Sequence, residues 1–454
     1  MDNKTLGLMG SAPVPKAIIK LAVPTMLGMV AQAIYNLVDV FFIGMTGDPD
    51  LVAGVSLAMP LFFLLQGIGS IFAIGSASYI SRKLGEKDIP EARRSNAVSF
   101  YLTCAVGGAV TVVSLAFKSK LLMVSGASGN TYGPADQYFT IIAAFAIVLI
   151  QNVALQGQVR SEGATMRATI GLVIGIAVNI VLAPLFIFTF GWGIAGAAWA
   201  TVAGAAVGDI YFILYFRSSR SMLTLSPKEM KPNRTMLAEI LKIGVPAAIS
   251  HIVMSASGII NNNYAASYGD HVVAAAGINM RLCGMAFMLV MGLATGFQPF
   301  AGYNYGAGNT GRLTQGLKFT LVLATVLACC FTVLFLLFNK EFIQIFINDG
   351  PTIEAGRQIM RAFVIGMPVL GIQVTLMITF QALGKSVRAA IVTLGRQCLF
   401  FIPLMVCLNA YYGFSGFVLV QPLSDICTTG IAFALAAGMI KGFGKSAEAG
   451  GVGR

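Results

Sequence analysis

The sequence predicts an all-α polytopic membrane protein with twelve transmembrane helices. They form two parallel six-helix repeats, an N-lobe and a C-lobe, around a central cavity. Three observations carry the prediction. Of 454 residues, 57% are hydrophobic and only 11% charged, against roughly 25% charged in an ordinary soluble domain. The apolar residues run in long stretches that suit helices of about 20 residues or more, without the short alternating strands of a barrel. Landmarks of the first half also recur in the second.

The first six spans are expected near 16–44, 51–80, 95–117, 135–158, 168–190 and 194–216. The second six are expected near 238–266, 272–302, 314–338, 355–383, 388–411 and 416–440. This divides the chain into an N-lobe (1–217), a cytoplasmic connector (218–237), and a C-lobe with a cytoplasmic tail (238–454). No cleavable signal peptide is read at the start, because the first span is long and stays in the membrane.

Net charge is +12, which in a soluble protein would suggest nucleic acid. Here the bases sit in alternate short loops and so report orientation rather than a ligand. Arg82, Lys83, Lys87, Arg93 and Arg94 follow the second span, and Arg160 and Arg167 follow the fourth. Arg217, Arg220, Lys228, Lys231 and Arg234 fill the connector, Arg312, Lys385 and Arg388 lie in later loops, and Lys441 and Lys445 in the tail. The intervening loops are poor in bases, with Lys118, Lys120 and Lys340 as exceptions. Both termini are therefore expected in the cytoplasm, and the chain in a bacterial inner membrane. The seven cysteines lie in apolar stretches without a C-x-x-C pair and read as buried free thiols.

The repeat justifies the two lobes. Ile19-Lys20-Leu21-Ala22-Val23-Pro24 recurs as Leu241-Lys242-Ile243-Gly244-Val245-Pro246. Gly163-x-x-x-Arg167-Ala168 recurs as Gly384-x-x-x-Arg388-Ala389, and Gly193-x-x-Gly196 as Gly413-x-x-Gly416. Six spans per unit make both units start on the same side, so the repeats are parallel, an arrangement suited to two halves rocking about a central site.

Ionisable groups within spans are costly and are functional candidates by default. Asp39 is the clearest. Gln32, Asn36 and Asp39 share a helix face, and Tyr35 lies four residues before Asp39. A carboxylate on a cavity-facing wall can take a proton on one side and release it on the other. The alternative is a satisfied buried acid. Its repeat counterpart is Asn261, within Asn261-Asn262-Asn263, which suits either a cavity wall or bonding between helices. Asp425 falls near mid-membrane and can pair with Arg281 or Arg396, or contact a cationic ligand directly. Asp209 lies about two turns from Arg217 and reads as solvated or snorkelling. His251 reads as a packing histidine that can titrate. Pro24, Pro60, Pro184, Pro246, Pro299 and Pro403 fall in or near spans, and the repeat pair Pro24 and Pro246 is the best hinge candidate.

Order and spacing of several motifs give a family resemblance. They are Leu21-Ala22-Val23-Pro24 through Tyr35-Asn36-Leu37-Val38-Asp39 to Gly44; Pro299 followed by Asn304-Tyr305-Gly306-Ala307-Gly308; Asn179 before Pro184; and Gly193-x-x-Gly196-Ala197-Ala198-x-Ala200-Thr201. Over nearly its whole length the chain resembles the multidrug and toxic compound extrusion (MATE) transporters, especially the bacterial MepA-like branch. The resemblance implies a V-shaped, two-lobed exporter driven by inward flow of protons or sodium. It also implies cation coupling through a first-helix Asp, an Asn and an Asp on the fifth helix, and a Thr on the sixth. Asp39, Asn179 and Thr201 match, whereas Ala183 stands where the fifth-helix acid would be. Family acids on the seventh and tenth helices are also missing, with Met254 and Ile372-Gln373 near the expected places.

The expected coupling set is thus Asp39, Asn36, Asn179, Thr201 and Tyr35, and the expected substrate cavity takes in Gln32, Asn261, Arg281, Gln373, Asp425 and Met254. Sodium prefers several oxygen ligands including an anion, so the missing carboxylate favours protons. The 21 Met and 31 Phe supply adaptable, polarizable walls, and together with the acids suit lipophilic organic cations. No enzyme motif, nucleotide loop or metal site is read, and a monomer suffices, with small molecules and membrane lipid as partners and no nucleic acid. A flippase for lipid-linked precursors, of related architecture, would need a basic cluster that the spans lack.

Overall fold

In a bilayer the backbone has no water to bond, so long apolar segments satisfy it internally as helices. The computed structural model describes residues 3–45, 49–127 and 129–450, with side chains described except at 3, 4, 39, 40, 43, 49–53 and 440–450. Among the described residues every regular element is helical. The first half holds α1 (Val14–Gly44), α2 (Pro49–Gly85), α3 (Ile89–Ala116), α4 (Tyr132–Ala144 and Ala146–Ser161), α5 (Thr165–Pro184) and α6 (Gly193–Arg217). The second holds α7 (Arg234–Ala266), α8 (Asp270–Gly306), α9 (Thr310–Leu337) and α10 (Gly350–Ala382). A helical run over Ser386–Met439 follows. At 54 residues that run would measure about 80 Å at 1.5 Å per residue, far beyond one bilayer crossing. Its helical geometry breaks at Gly413, with φ 56°. The run is therefore two spans, α11 (386–412) and α12 (from 414), which makes twelve among the described residues.

Several helices start earlier than the apolar pattern predicts, and their caps explain why. Asp88, Asn233, Asn309 and Asp349 precede α3, α7, α9 and α10, and each accepts a bond from a first-turn backbone N–H. Such caps hold polar turns in the helix beyond the apolar stretch. The fourth span is bent by 55° between its two segments. The repeat glycines Gly163 and Gly384 have φ of 80° and 71°, and Gly193 and Gly413 of 53° and 56°. This left-handed backbone favours glycine, which is the local reason the repeat shows at these positions. Pro184 leads into a π turn, Leu185–Thr189, and a second π turn, Gly395–Phe401, leads into Pro403. The second of these wide turns takes up the clash of the Pro403 ring with the preceding carbonyls.

Two short helices, Lys118–Val124 and Asn339–Gln344, lie after α3 and α9. They carry the basic residues that broke the loop-charge pattern, and Lys118 is neutralised by Asp136 at 2.8 Å. The connector is docked rather than free. Arg93 donates to the carbonyl of Met222, Asn96 to that of Thr224, and Tyr101 to that of Leu225.

The two halves meet through glycines. On α2, Gly75 lies against the backbone of Ile240, while Gly244 of α7 lies against that of Ile71. Gly85 abuts Tyr303 of α8, and Gly306 abuts Arg82 in return. An ion pair, Arg82–Glu239 at 2.8 Å, joins the same elements. Small residues let helix backbones approach this closely.

The thiols depart from expectation. All seven are free, but only Cys283 is buried; Cys329, Cys330, Cys398, Cys407 and Cys427 are exposed and Cys104 is intermediate. Lipid is as apolar as a core, so an apolar neighbourhood in sequence does not distinguish the two.

Candidate functional site

Polar side chains of α1, α2, α4, α5 and α6 converge inside the first half. A cavity of about 90 Å³ is lined there by Gln32, Tyr35, Gln66, Asn152, Asn179 and Thr201, among others. The Asn179 amide donates to the Thr201 hydroxyl at 3.4 Å, and that hydroxyl donates to the Ala197 carbonyl at 3.1 Å. Tyr35, Asn179 and Thr201, three members of the expected coupling set, therefore share one chamber. Of the other two members, Asn36 lines the adjoining larger cavity, and the Asp39 side chain lies outside the described residues. Ala183 is buried in an apolar cluster with Ile187 and Ala197, so the position of the missing acid offers no oxygen.

A larger cavity of about 510 Å³ opens beside the first and reaches into the second half. Gln32, Tyr35 and Asn36 form its α1 wall, where the Gln32 amide donates to Asn36 at 3.4 Å. Met29, Met59, Phe62 and Phe63 add apolar surface, and His251, Met254 and Met288 approach from α7 and α8. The expected residues Gln32 and Met254 thus line the cavity, and His251 faces it rather than only packing.

The other expected cavity residues lie elsewhere. Asn261 is half-buried on α7 and Arg281 is exposed on α8; neither lines these two cavities. Gln373 is buried on α10, its carbonyl oxygen without a hydrogen-bond partner among the described residues. Asp425 is paired with Arg396, not Arg281: the Arg396 Nε lies 2.6 Å from its Oδ1, and the Gln421 amide donates to the same oxygen at 3.2 Å. Arg396 also stands over the Phe287 ring, 5.3 Å from its centroid.

Two features of the site were missed in sequence. Asp209 is buried, at 7% exposure, rather than solvated. It accepts from the Asn152 amide at 3.0 Å, and that amide also donates to the Ala205 carbonyl at 3.1 Å. Asn152 and Ala205 both line the smaller cavity, so Asp209 stands directly behind its wall. Two turns of axial distance from Arg217 do not bring Asp209 to the surface, because its side chain points at α4. The second feature is Arg160. Counted above with a loop, it lies on α4 and lines the larger cavity beside Gln156. Its Nε has no hydrogen-bond partner among the described residues. Asn152, Gln156 and Arg160 recur every four residues, a polar helix face that the sequence does display.

Comparisons with known proteins agree with this architecture. The MatE family matches residues 24–185 and 246–407, one match in each half. The multidrug export protein MepA of Staphylococcus aureus (strain NCTC 8325 / PS 47) is 30% identical over 419 residues, covering 92% of each chain. The protein of the same name from Staphylococcus haemolyticus (strain JCSC1435) is 28% identical with the same coverage. Among solved structures, an outward-facing MATE transporter of the MOP superfamily superposes with a TM-score of 0.92 at 24% identity, covering 97% of this chain and 99% of the other. A MOP superfamily transporter from Pyrococcus furiosus, described as having a binding pocket of reversed polarity, superposes with a TM-score of 0.91 at 24% identity, covering 97% and 98%.

Proposed function

The chain belongs to the MATE family, and on that premise we propose that it is a secondary multidrug exporter of lipophilic organic cations, driven by inward flow of protons. It acts in the bacterial cytoplasmic membrane with its base-rich face and both termini inside. The observation that carries the reading is the pair of adjoining chambers. One is small and polar, holding Tyr35, Asn179 and Thr201; the other is larger, walled by methionines and phenylalanines, and shares Gln32, Tyr35 and Thr201 with the first. An ion bound in the small chamber and a drug bound in the large one would touch the same residues of α1 and α6. Two ligands that compete for one set of side chains are coupled, and coupling is what antiport requires.

Protons are favoured over sodium by the oxygen count. Ala183, at 1% exposure, sits among apolar neighbours, which removes an anionic ligand that a sodium ion would use. A carboxylate on α1 needs no such company to carry a proton. Asp39 is that residue in this proposal, with Asp209 a second candidate behind Asn152. A flippase for pyrophosphate-linked lipid is disfavoured, because Arg160 is the one Arg or Lys among the described residues lining the large cavity.

Reconstitution in liposomes tests the proposal. Efflux of a fluorescent cation is followed under an imposed pH gradient and then under a sodium gradient, for wild type and Asp39→Asn. The proposal requires pH-driven efflux that Asp39→Asn abolishes. Efflux driven by sodium alone overturns proton coupling. Failure of both gradients to move any tested cation overturns the exporter reading.

A further inference from the structure

A third cavity, of about 430 Å³, opens at the base-rich end of the first half. Four segments wall it: the short helix Asn3–Gly10, the start of α1, the α4–α5 turn with the first residues of α5, and the end of α6 with the residues after it. Lys20, Arg167 and Arg220 line it from three of these segments. None of the three makes an ion pair or a side-chain hydrogen bond among the described residues. The adjacent acid, Glu162, is already engaged by the Ser221 hydroxyl and the Met222 backbone N–H.

The floor of the cavity is also polar. Thr165 lines it at 2% exposure, and its hydroxyl has no hydrogen-bond partner among the described residues. No side chain caps the α5 start at this point. Three cations without an ion pair and the hydroxyl of a buried threonine form a concentration of donors that chain topology alone does not require.

We propose that this cavity binds the phosphate of an anionic phospholipid headgroup. A phosphate ester offers the negative charge and the acceptor oxygens that these groups lack. The surroundings favour a lipid as the source over a free phosphate ion. Leu8, Leu21, Pro24 and Met166 add apolar surface to the cavity. Beside Lys20, the exposed residues Ile19, Val23 and Leu27 follow one another along α1 at four-residue spacing, with exposures of 45%, 45% and 57%. They make an apolar track running from the cavity into the membrane, where an acyl chain belongs. The occupied site would tie the short N-terminal helix and α1 to α5 and α6.

Native mass spectrometry of the purified full chain tests the proposal. Delipidated protein is incubated with mixed micelles holding equal phosphatidylglycerol and phosphatidylcholine, with or without inorganic phosphate. Wild type should retain phosphatidylglycerol preferentially, whether or not phosphate is present. Lys20→Gln/Arg167→Gln/Arg220→Gln should reduce that preference by about tenfold or more. The charge-matched connector variant Lys228→Gln/Lys231→Gln/Arg234→Gln should leave it unchanged. Single Lys20→Gln and Arg220→Gln variants, at exposed positions, should each reduce it in part and guard against misfolding of the triple variant. Equal retention by wild type and the cavity variants overturns the site, as does an equal loss in the connector variant. Competition by inorganic phosphate, lost in the cavity variant, would assign the site to the free ion and overturn the lipid source.

Discussion

Breaking the Arg396–Asp425 pair separates a structural from a substrate-binding role for Asp425. The Asp425 side chain is 3% exposed and that of Arg396 18%, with 2.6 Å between the bonded atoms. Asp425→Asn keeps an acceptor for Arg396 but removes its counter-charge, leaving a guanidinium buried against Phe287 with no anion. Removing one partner of a buried pair costs about 3–5 kcal/mol. With roughly 2.1 cal/mol/K of unfolding entropy per residue, a chain this long converts that to a fall in Tm of about 3–5 °C. Arg396→Gln/Asp425→Asn leaves a neutral amide pair and should recover most of that loss. Tm is read by tryptophan fluorescence in detergent, and efflux of a fluorescent cation in liposomes. If the pair serves the fold, the double variant regains both stability and transport. A double variant that regains its Tm but stays unable to transport would refute the structural role and place Asp425 in substrate binding. An unchanged Tm for Asp425→Asn alone would refute the burial argument itself.

Three further outcomes follow from other sites. Burial raises Glu162, just outside the membrane span, from its ordinary 4.5 to about 7. The folded state therefore holds an extra proton between these values, and stability should fall by on the order of 3 kcal/mol as pH rises through that window. Glu162→Gln should flatten this slope, as read by denaturation at a series of pH values. Gly244→Ala places a methyl group on the backbone of Ile71 and should cost about 1–3 kcal/mol as the α2–α7 crossing is forced apart, with efflux falling alongside. Asp209→Asn keeps an acceptor for Asn152 and should leave Tm unchanged while flattening the pH dependence of efflux. A profile identical to wild type would remove Asp209 from the coupling machinery.

What could be read in the sequence, and what could not, follows from the solvent. In water, apolar residues mark the inside of a helix, and their period reveals which face is buried. In a bilayer both the lipid face and the core face are apolar, so that period largely vanishes. Properties that depend on span length survived: the twelve helices and the doubled architecture. So did properties that depend on unusual backbone, since Gly163, Gly193, Gly384 and Gly413 all take the left-handed conformation. Properties that depend on facing did not. The cysteines of α9 and of the α11–α12 run were read as buried although they face outward, and Asp209 was read as solvated although it faces α4.

The polar face is the exception, because inside a membrane a row of polar side chains is itself the rare signal. The sequence puts Gln32 and Asn36 on one face of α1 with Asp39, and in the structure Gln32 and Asn36, together with Tyr35, line the larger cavity. The same logic applied to α4 finds Asn152, Gln156 and Arg160, each four residues from the next and each lining one of the two adjoining cavities. Arg160 escaped because a base near a turn was counted toward orientation. An arginine at the end of a span satisfies the charge pattern of the loops and can line a cavity at once. The discriminating feature is its register with the polar residues one and two turns earlier, which a count of loop charges discards.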